Sequence, residues 1–151
     1  MNWNILYAMM AAAAGSFIAL QASANSMFRR NLALTEPWYA AFFSICGTFI
    51  TAVVLMLTFR PSPPDMEAVR STQWWNWIGG PLGAMIVLAG AALTEKLGAA
   101  AFIALVVGGQ LMCAMILDHF ALMGLSEQPI TWGRIAGALL VVAGVGCIKY
   151  L

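Results

Sequence analysis

Of 151 residues, 62% are hydrophobic and only 9% are charged, too little polar side chain to cover a water-facing surface. A soluble globular domain is therefore excluded. Seven Lys and Arg against six Asp and Glu leave a net charge of +1, which supplies neither the basic field of a nucleic-acid binder nor an acidic tail.

Crossing the hydrocarbon layer takes about 20 apolar residues, so five spans use about 100 and leave about 50 for ends and connections. Five helices are expected at about 3–28, 38–59, 74–94, 97–123 and 132–151, forming one all-α membrane domain. The cysteines, Cys46, Cys113 and Cys147, stand alone inside apolar runs, and His119 is the single histidine. Neither a disulfide framework nor a metal site is implied. No P-loop, GxSxG or HExxH motif is present, so no enzyme activity and no cofactor are expected.

Span one, Trp3 to Phe28, is about 39 Å long at 1.5 Å per residue and is expected to tilt. Ala22-Ser23-Ala24 resembles a signal-peptide cleavage site, but Met1-Asn2-Trp3-Asn4 carries no basic residue, so the segment is read as a retained helix. Small residues recur every fourth position at Ala11, Gly15, Ala19 and Ser23, a stripe suited to tight helix packing. Gln21 and Asn25 are also four apart and share a face. Amides are costly against lipid, so these two either line a pocket or clasp a neighbouring helix.

The Arg29 to Pro37 connection ends in Thr35-Glu36-Pro37, which reads as a helix start with a capping hydroxyl and a proline in the first turn. Span two, Trp38 to Phe59, follows. The longest connection, Arg60 to Gln73, is turn-rich at Pro61-Ser62-Pro63-Pro64-Asp65 and has room for a surface helical turn ending near Thr72.

Span three opens with Trp74, Trp75 and Trp77, either an interfacial belt or an aromatic box for a cationic or flat solute. Pro81 cannot donate to the carbonyl of Trp77, so Gly79, Gly80 and Pro81 are expected to form a hinge; the alternative is a proline tolerated in a packed helix. Glu95-Lys96 is read as a tight hairpin into span four. There Gly108-Gly109-Gln110 places an amide near mid-membrane, a second pocket candidate. Asp118 lies eight residues further, about 80° around the helix and about 12 Å along it. As the only carboxylate in that helix it is a candidate coupling acid, exchanging a proton or cation; the alternative is an interfacial acid reaching water. Span five is short, with Arg134 and Lys149 snorkelling at its ends and Trp132 and Tyr150 as anchors.

With five spans the termini lie on opposite faces. Arg60, Arg70 and Arg134 then share the N-terminal face, and Arg29, Arg30, Lys96 and Lys149 the other. Three against four gives the positive-inside rule almost no bias, so insertion in both orientations is expected, unless one charge or a partner fixes it.

The run Ala100-Ala101-Phe102-Ile103-Ala104-Leu105-Val106-Val107-Gly108-Gly109-Gln110-Leu111, followed by Leu117-Asp118-His119-Phe120 and Gly133-Arg134-Ile135-Ala136-Gly137-Ala138-Leu139-Leu140, resembles the short members of the drug/metabolite transporter superfamily. Ala11 to Asn25 and Trp77-Ile78-Gly79-Gly80 fit the same pattern. The chain is most similar to the YdcZ-type inner-membrane exporter family of bacteria. That resemblance implies one half-repeat of a ten-helix fold whose two five-helix halves are inverted, and hence an antiparallel homodimer in a bacterial inner membrane. It also implies export of a small molecule by alternating access. The related four-helix multidrug exporters carry an essential glutamate in their first helix; here only Gln21 and Asn25 occupy it, which departs from proton-for-cation exchange on that helix.

On this reading Gly133, Gly137 and Gly144 are expected at the dimer seam. Gln21, Asn25 and Gln110 converge on a substrate cavity between subunits, with Trp77 near one mouth. The rivals are a dual-topology passive channel and a membrane scaffold that transports nothing.

Overall fold

The computed structural model describes residues 3–151. Six α-helices follow in chain order: α1 (Trp3–Asn31), α2 (Trp38–Phe59), α3 (Met66–Ser71), α4 (Gly79–Leu97), α5 (Ala99–His119) and α6 (Trp132–Tyr150). A 3-10 turn at Trp74–Trp77 precedes α4, and another at Leu122–Gly124 follows α5. No strand forms among the described residues. Among the described residues five helical stretches are long and apolar enough to cross a membrane, α3 being the exception. At 29 residues α1 is about 44 Å long, well beyond a hydrocarbon core of about 30 Å.

Packing follows from side-chain size. The buried apolar residues are Ala22, Ala40, Ala41, Ala91, Ala101 and Phe102, while Phe17, Phe49, Leu57, Leu140 and many other large apolar side chains are exposed. In water such a surface would drive aggregation; in a bilayer, lipid covers it and helices meet where small residues allow their backbones close. The expected stripe on α1 is only partly used this way. Ala11 and Gly15 are exposed, and the buried positions are Ala22, Asn25 and Ser26 near the C-terminal end.

Several helix ends differ from the sequence reading: α5, expected over 97–123, runs Ala99–His119, and α4, expected from 74, begins at Gly79 after the 3-10 turn. The first helix continues through Arg29 and Arg30, closing on Ala33 at φ 50°. There Leu34 N–H donates to the Arg29 carbonyl and Ala33 N–H to the Arg30 carbonyl, each at 3.0 Å, a Schellman closure with alanine where glycine is usual. At the start of α2 no side chain caps the helix: Pro37 itself holds the cap position, and Thr35 does not serve. Glu95 and Lys96 belong to the last turn of α4 rather than a hairpin; the chain breaks at Gly98, whose φ of 84° suits glycine. The surface turn does form as α3, with the Asp65 side chain accepting from Glu67 N–H.

The chain divides into two compact units, Met1–Lys96 and Leu97–Leu151. In the first, α1 packs on α2, with Phe28 and Phe43 meeting edge-on at 5.9 Å. In the second, α6 returns along α5.

Candidate functional site

Within the first unit a cavity of about 520 Å³ is lined by residues of α1, α2 and α4. Helix α2 contributes Ile45, Thr48, Phe49 and Ala52, the 3.6-residue spacing of a single face. The opposite wall is the glycine-rich opening of α4, Gly79, Gly80 and Gly83. A Cβ at any of the three would meet nothing within 4 Å, so their smallness leaves open space. The polar side chains of the lining are Gln21 and Thr48. Gln21 Nε2 donates to Ser44 Oγ at 3.4 Å, and the Thr48 hydroxyl donates back to the Ser44 carbonyl at 3.0 Å. Ser44 thus anchors the one amide that faces the cavity.

Gly79, Gly80 and Pro81 do not interrupt a helix, as the sequence reading expected them to. They lie in the first turn of α4, where an N–H has no intrahelical acceptor and proline costs nothing. The irregularity sits just before it, where the 3-10 turn of Trp74–Trp77 passes into α4 through Ile78, its N–H donating to the Trp75 carbonyl at 3.4 Å. Trp77 is exposed in that turn, and Trp74 and Trp75 meet edge-on at 5.8 Å.

Asn25, one turn beyond Gln21, is 8% exposed and does not line this cavity. Its Nδ2 and the Thr94 Oγ1 are buried with no hydrogen-bond partner, each at a cost of roughly 1–3 kcal/mol if left so. Close by in sequence, Arg29 Nη2 and Glu95 Oε2 form an ion pair at 2.8 Å that ties the C-terminal ends of α1 and α4. Glu95 was expected only as a connection charge, and Thr94 carried no signal beyond ending an uncharged stretch.

In the second unit, Asp118 Oδ2 accepts from Arg134 Nη2 at 2.9 Å. Both are partly buried and stand at the end of a cavity of about 370 Å³, lined also by Leu111, Met115, Gly137 and Val141. The neighbouring His119 Nδ1 accepts from Ile130 N–H at 3.3 Å. Gln110 is exposed on α5. Along α6, Gly133 and Gly137 are exposed and Gly144 is half-buried; no residue of that helix is buried. Among the described residues no group of three His, Cys, Asp or Glu side chains is placed to hold a metal ion, and Cys46, Cys113 and Cys147 are free thiols.

Sequence reasoning missed Ser44, Thr48 and Thr94 because hydroxyls inside apolar spans resemble ordinary helix residues. The sequence marks Arg134 only as an anchor, because its ion pair with Asp118 depends on the return of α6 along α5.

The family described as "Putative inner membrane exporter, YdcZ" matches residues 6–147 of this chain. "Inner membrane protein YdcZ" of Escherichia coli (strain K12) is 38% identical over 78 residues, which are 52% of this chain and 52% of that protein. The chain thus matches about half the length of that curated relative. No solved structure matches. The match over residues 6–147, on a chain with five helices apolar enough to cross a bilayer, means that this protein belongs to the YdcZ inner-membrane exporter family and is a multi-pass protein of the inner membrane.

Proposed function

We propose that the protein exports a small molecule across the bacterial inner membrane by alternating access, working as an antiparallel homodimer. The observation that carries this reading is the cavity of about 520 Å³ in the first unit. Its volume falls in the range of small-molecule sites, and a mostly apolar wall with one anchored amide is the usual composition of such sites. Membership of an exporter family supports the direction of transport. Gln21 and Asn25, with Gln110 and Trp77, are the residues assigned to the solute, Asp118 to ion coupling, and Gly79, Gly80 and Pro81 to the flexible opening of α4.

Two observations favour the dimer. Helix α6 buries no residue within the chain, yet it carries Gly133, Gly137 and Gly144, whose lack of side chains allows close approach of a second helix. Gln110 presents an amide on the exposed side of an apolar helix, and its cost against lipid is relieved when a second subunit covers it. One half-repeat of a ten-helix fold, paired with an inverted copy, supplies both conditions.

Flux into proteoliposomes tests the reading. Saturable exchange coupled to an ion gradient is the expected result. Fast, unsaturable passive current means a channel, and absence of flux for every solute tried means a scaffold.

A further inference from the structure

We infer that Asn25 and Thr94 form a second, occluded hydrogen-bonding site, and that its ligand is an uncharged solute presenting a carbonyl or hydroxyl oxygen. Asn25 is 8% exposed and Thr94 6%, both within helices long and apolar enough to cross a bilayer, and the Asn25 Nδ2 and Thr94 Oγ1 atoms have no partner. Buried polar groups are almost always satisfied, so two unpartnered ones mark an occupant that belongs there.

Each of the two lies on its helix's buried stripe, and one ion pair links those stripes. On α1, Ala22, Asn25 and Ser26 are buried and Arg29 continues the same stripe; on α4, Gly90, Ala91 and Thr94 are buried, with Glu95 four residues after Ala91. The Arg29 to Glu95 ion pair at 2.8 Å joins those two stripes at their C-terminal ends. Asn25 lies one turn before the arginine and Thr94 directly before the glutamate. The pair therefore closes the site toward the membrane surface.

The chemistry of the occupant follows from the donors. An amide nitrogen can only donate and a threonine hydroxyl can donate, so together they offer two hydrogens to one oxygen acceptor. The ion pair neutralises its own charges and leaves none to hold an ion, which selects an uncharged acceptor over a carboxylate. The same chemistry fits a carried solute or a trapped water, and the inference is the solute. It rests on the transport reading for that solute's passage.

The test is NMR of protein labelled with nitrogen-15 at asparagine, in detergent micelles, with the Asn25 side-chain signal assigned by its loss in Asn25→Leu. N-methylacetamide serves as the uncharged carbonyl probe and acetate as the anionic one. N-methylacetamide is expected to shift the Asn25 signal saturably. Thr94→Val, nearly isosteric, should weaken that binding about tenfold, the worth of one hydrogen bond, while Thr94→Ser should retain it. A shift that does not saturate, equal binding by Thr94→Val, or stronger binding of acetate overturns the inference. So does a long-lived water contact at Asn25 that the probe fails to displace, which would make the site an ordered water only. Binding is read here without flux, so an empty site and a protein that does not transport give different results.

Discussion

Arg134 Nη2 donates to Asp118 Oδ2 at 2.9 Å across 16 residues of chain. The same guanidinium gives Nη1 to the Gln128 carbonyl at 2.9 Å, and Gln128 N–H donates to the Asp118 main-chain carbonyl at 2.9 Å. One acid, one base and one loop residue thus fasten the connection between α5 and α6. The two side chains, 35% and 30% exposed, are half-buried between the end of α5 and the start of α6. The pair can serve as a clasp on this connection or, on the transport reading proposed above, as a charge beside a cavity.

The first prediction separates these roles. Asp118→Asn is expected to leave the protein folded and dimeric and to abolish ion-coupled flux in proteoliposomes. The double exchange Asp118→Arg with Arg134→Asp restores an ion pair but moves the carboxylate to α6, so coupling should stay lost. Coupled flux equal to wild type in Asp118→Asn would reduce the pair to a clasp on the loop.

A second prediction concerns orientation. Three basic residues against four leave almost no charge bias, so both insertions should occur. C-terminal reporters active on opposite sides of the membrane should both give signal. Two lysines added between Arg60 and Gln73 should fix one orientation and lower homodimer yield. Signal from one side alone in the unmodified protein contradicts dual insertion.

Four of the five candidate spans were legible because long uncharged runs need no tertiary information to recognise, and the short fifth because Arg134 and Lys149 can snorkel from its ends; Trp38–Phe59 falls where its apolar stretch begins and ends. Helix ends were less legible. The first helix runs past Arg29 and Arg30 because cations at a helix C-terminus are favoured by the exposed carbonyls there, so charge did not mark its end. Of the site, the amide at Gln21 was visible as a polar residue in an apolar run, whereas Ser44 and Thr48 were not. A helix can satisfy hydroxyls internally, as Thr48, Thr51 and Thr58 show by donating to the carbonyl four residues earlier. Their contribution to a cavity is set by which helix lies opposite, which the sequence of one helix does not encode.

A third prediction is a stability change at Ala33. Its φ of 50° places a side-chain-bearing residue in the left-handed region at the end of α1, where the Cβ crowds the carbonyl and costs about 1–2 kcal/mol. Ala33→Gly removes that strain at some cost in unfolded-chain entropy, so a net gain of about 0.5–1 kcal/mol is expected. Thermal unfolding in detergent should show a higher midpoint with unchanged flux. A midpoint equal to or below wild type contradicts the strain at this turn.

The last prediction bears on the solute path. Gln21 is half-buried, faces the larger cavity and is held by Ser44; Asn25 is buried without a partner; Gln110 is exposed on α5. An amide facing lipid alone is costly, so each position needs either protein, water or a solute beside it. If all three serve one path, their removal should act on transport more than on folding. The triple substitution Gln21→Leu, Asn25→Leu and Gln110→Leu keeps size and helix propensity while deleting every amide. The expected outcome is an assembled dimer whose flux falls by at least about tenfold, the loss of one or more hydrogen bonds to the solute. The single change Ser44→Ala should give a smaller drop, since it frees Gln21 without removing it. Wild-type flux in the triple variant, with dimer assembly confirmed by cross-linking, would separate these amides from the transport path. It would leave them as contacts between helices.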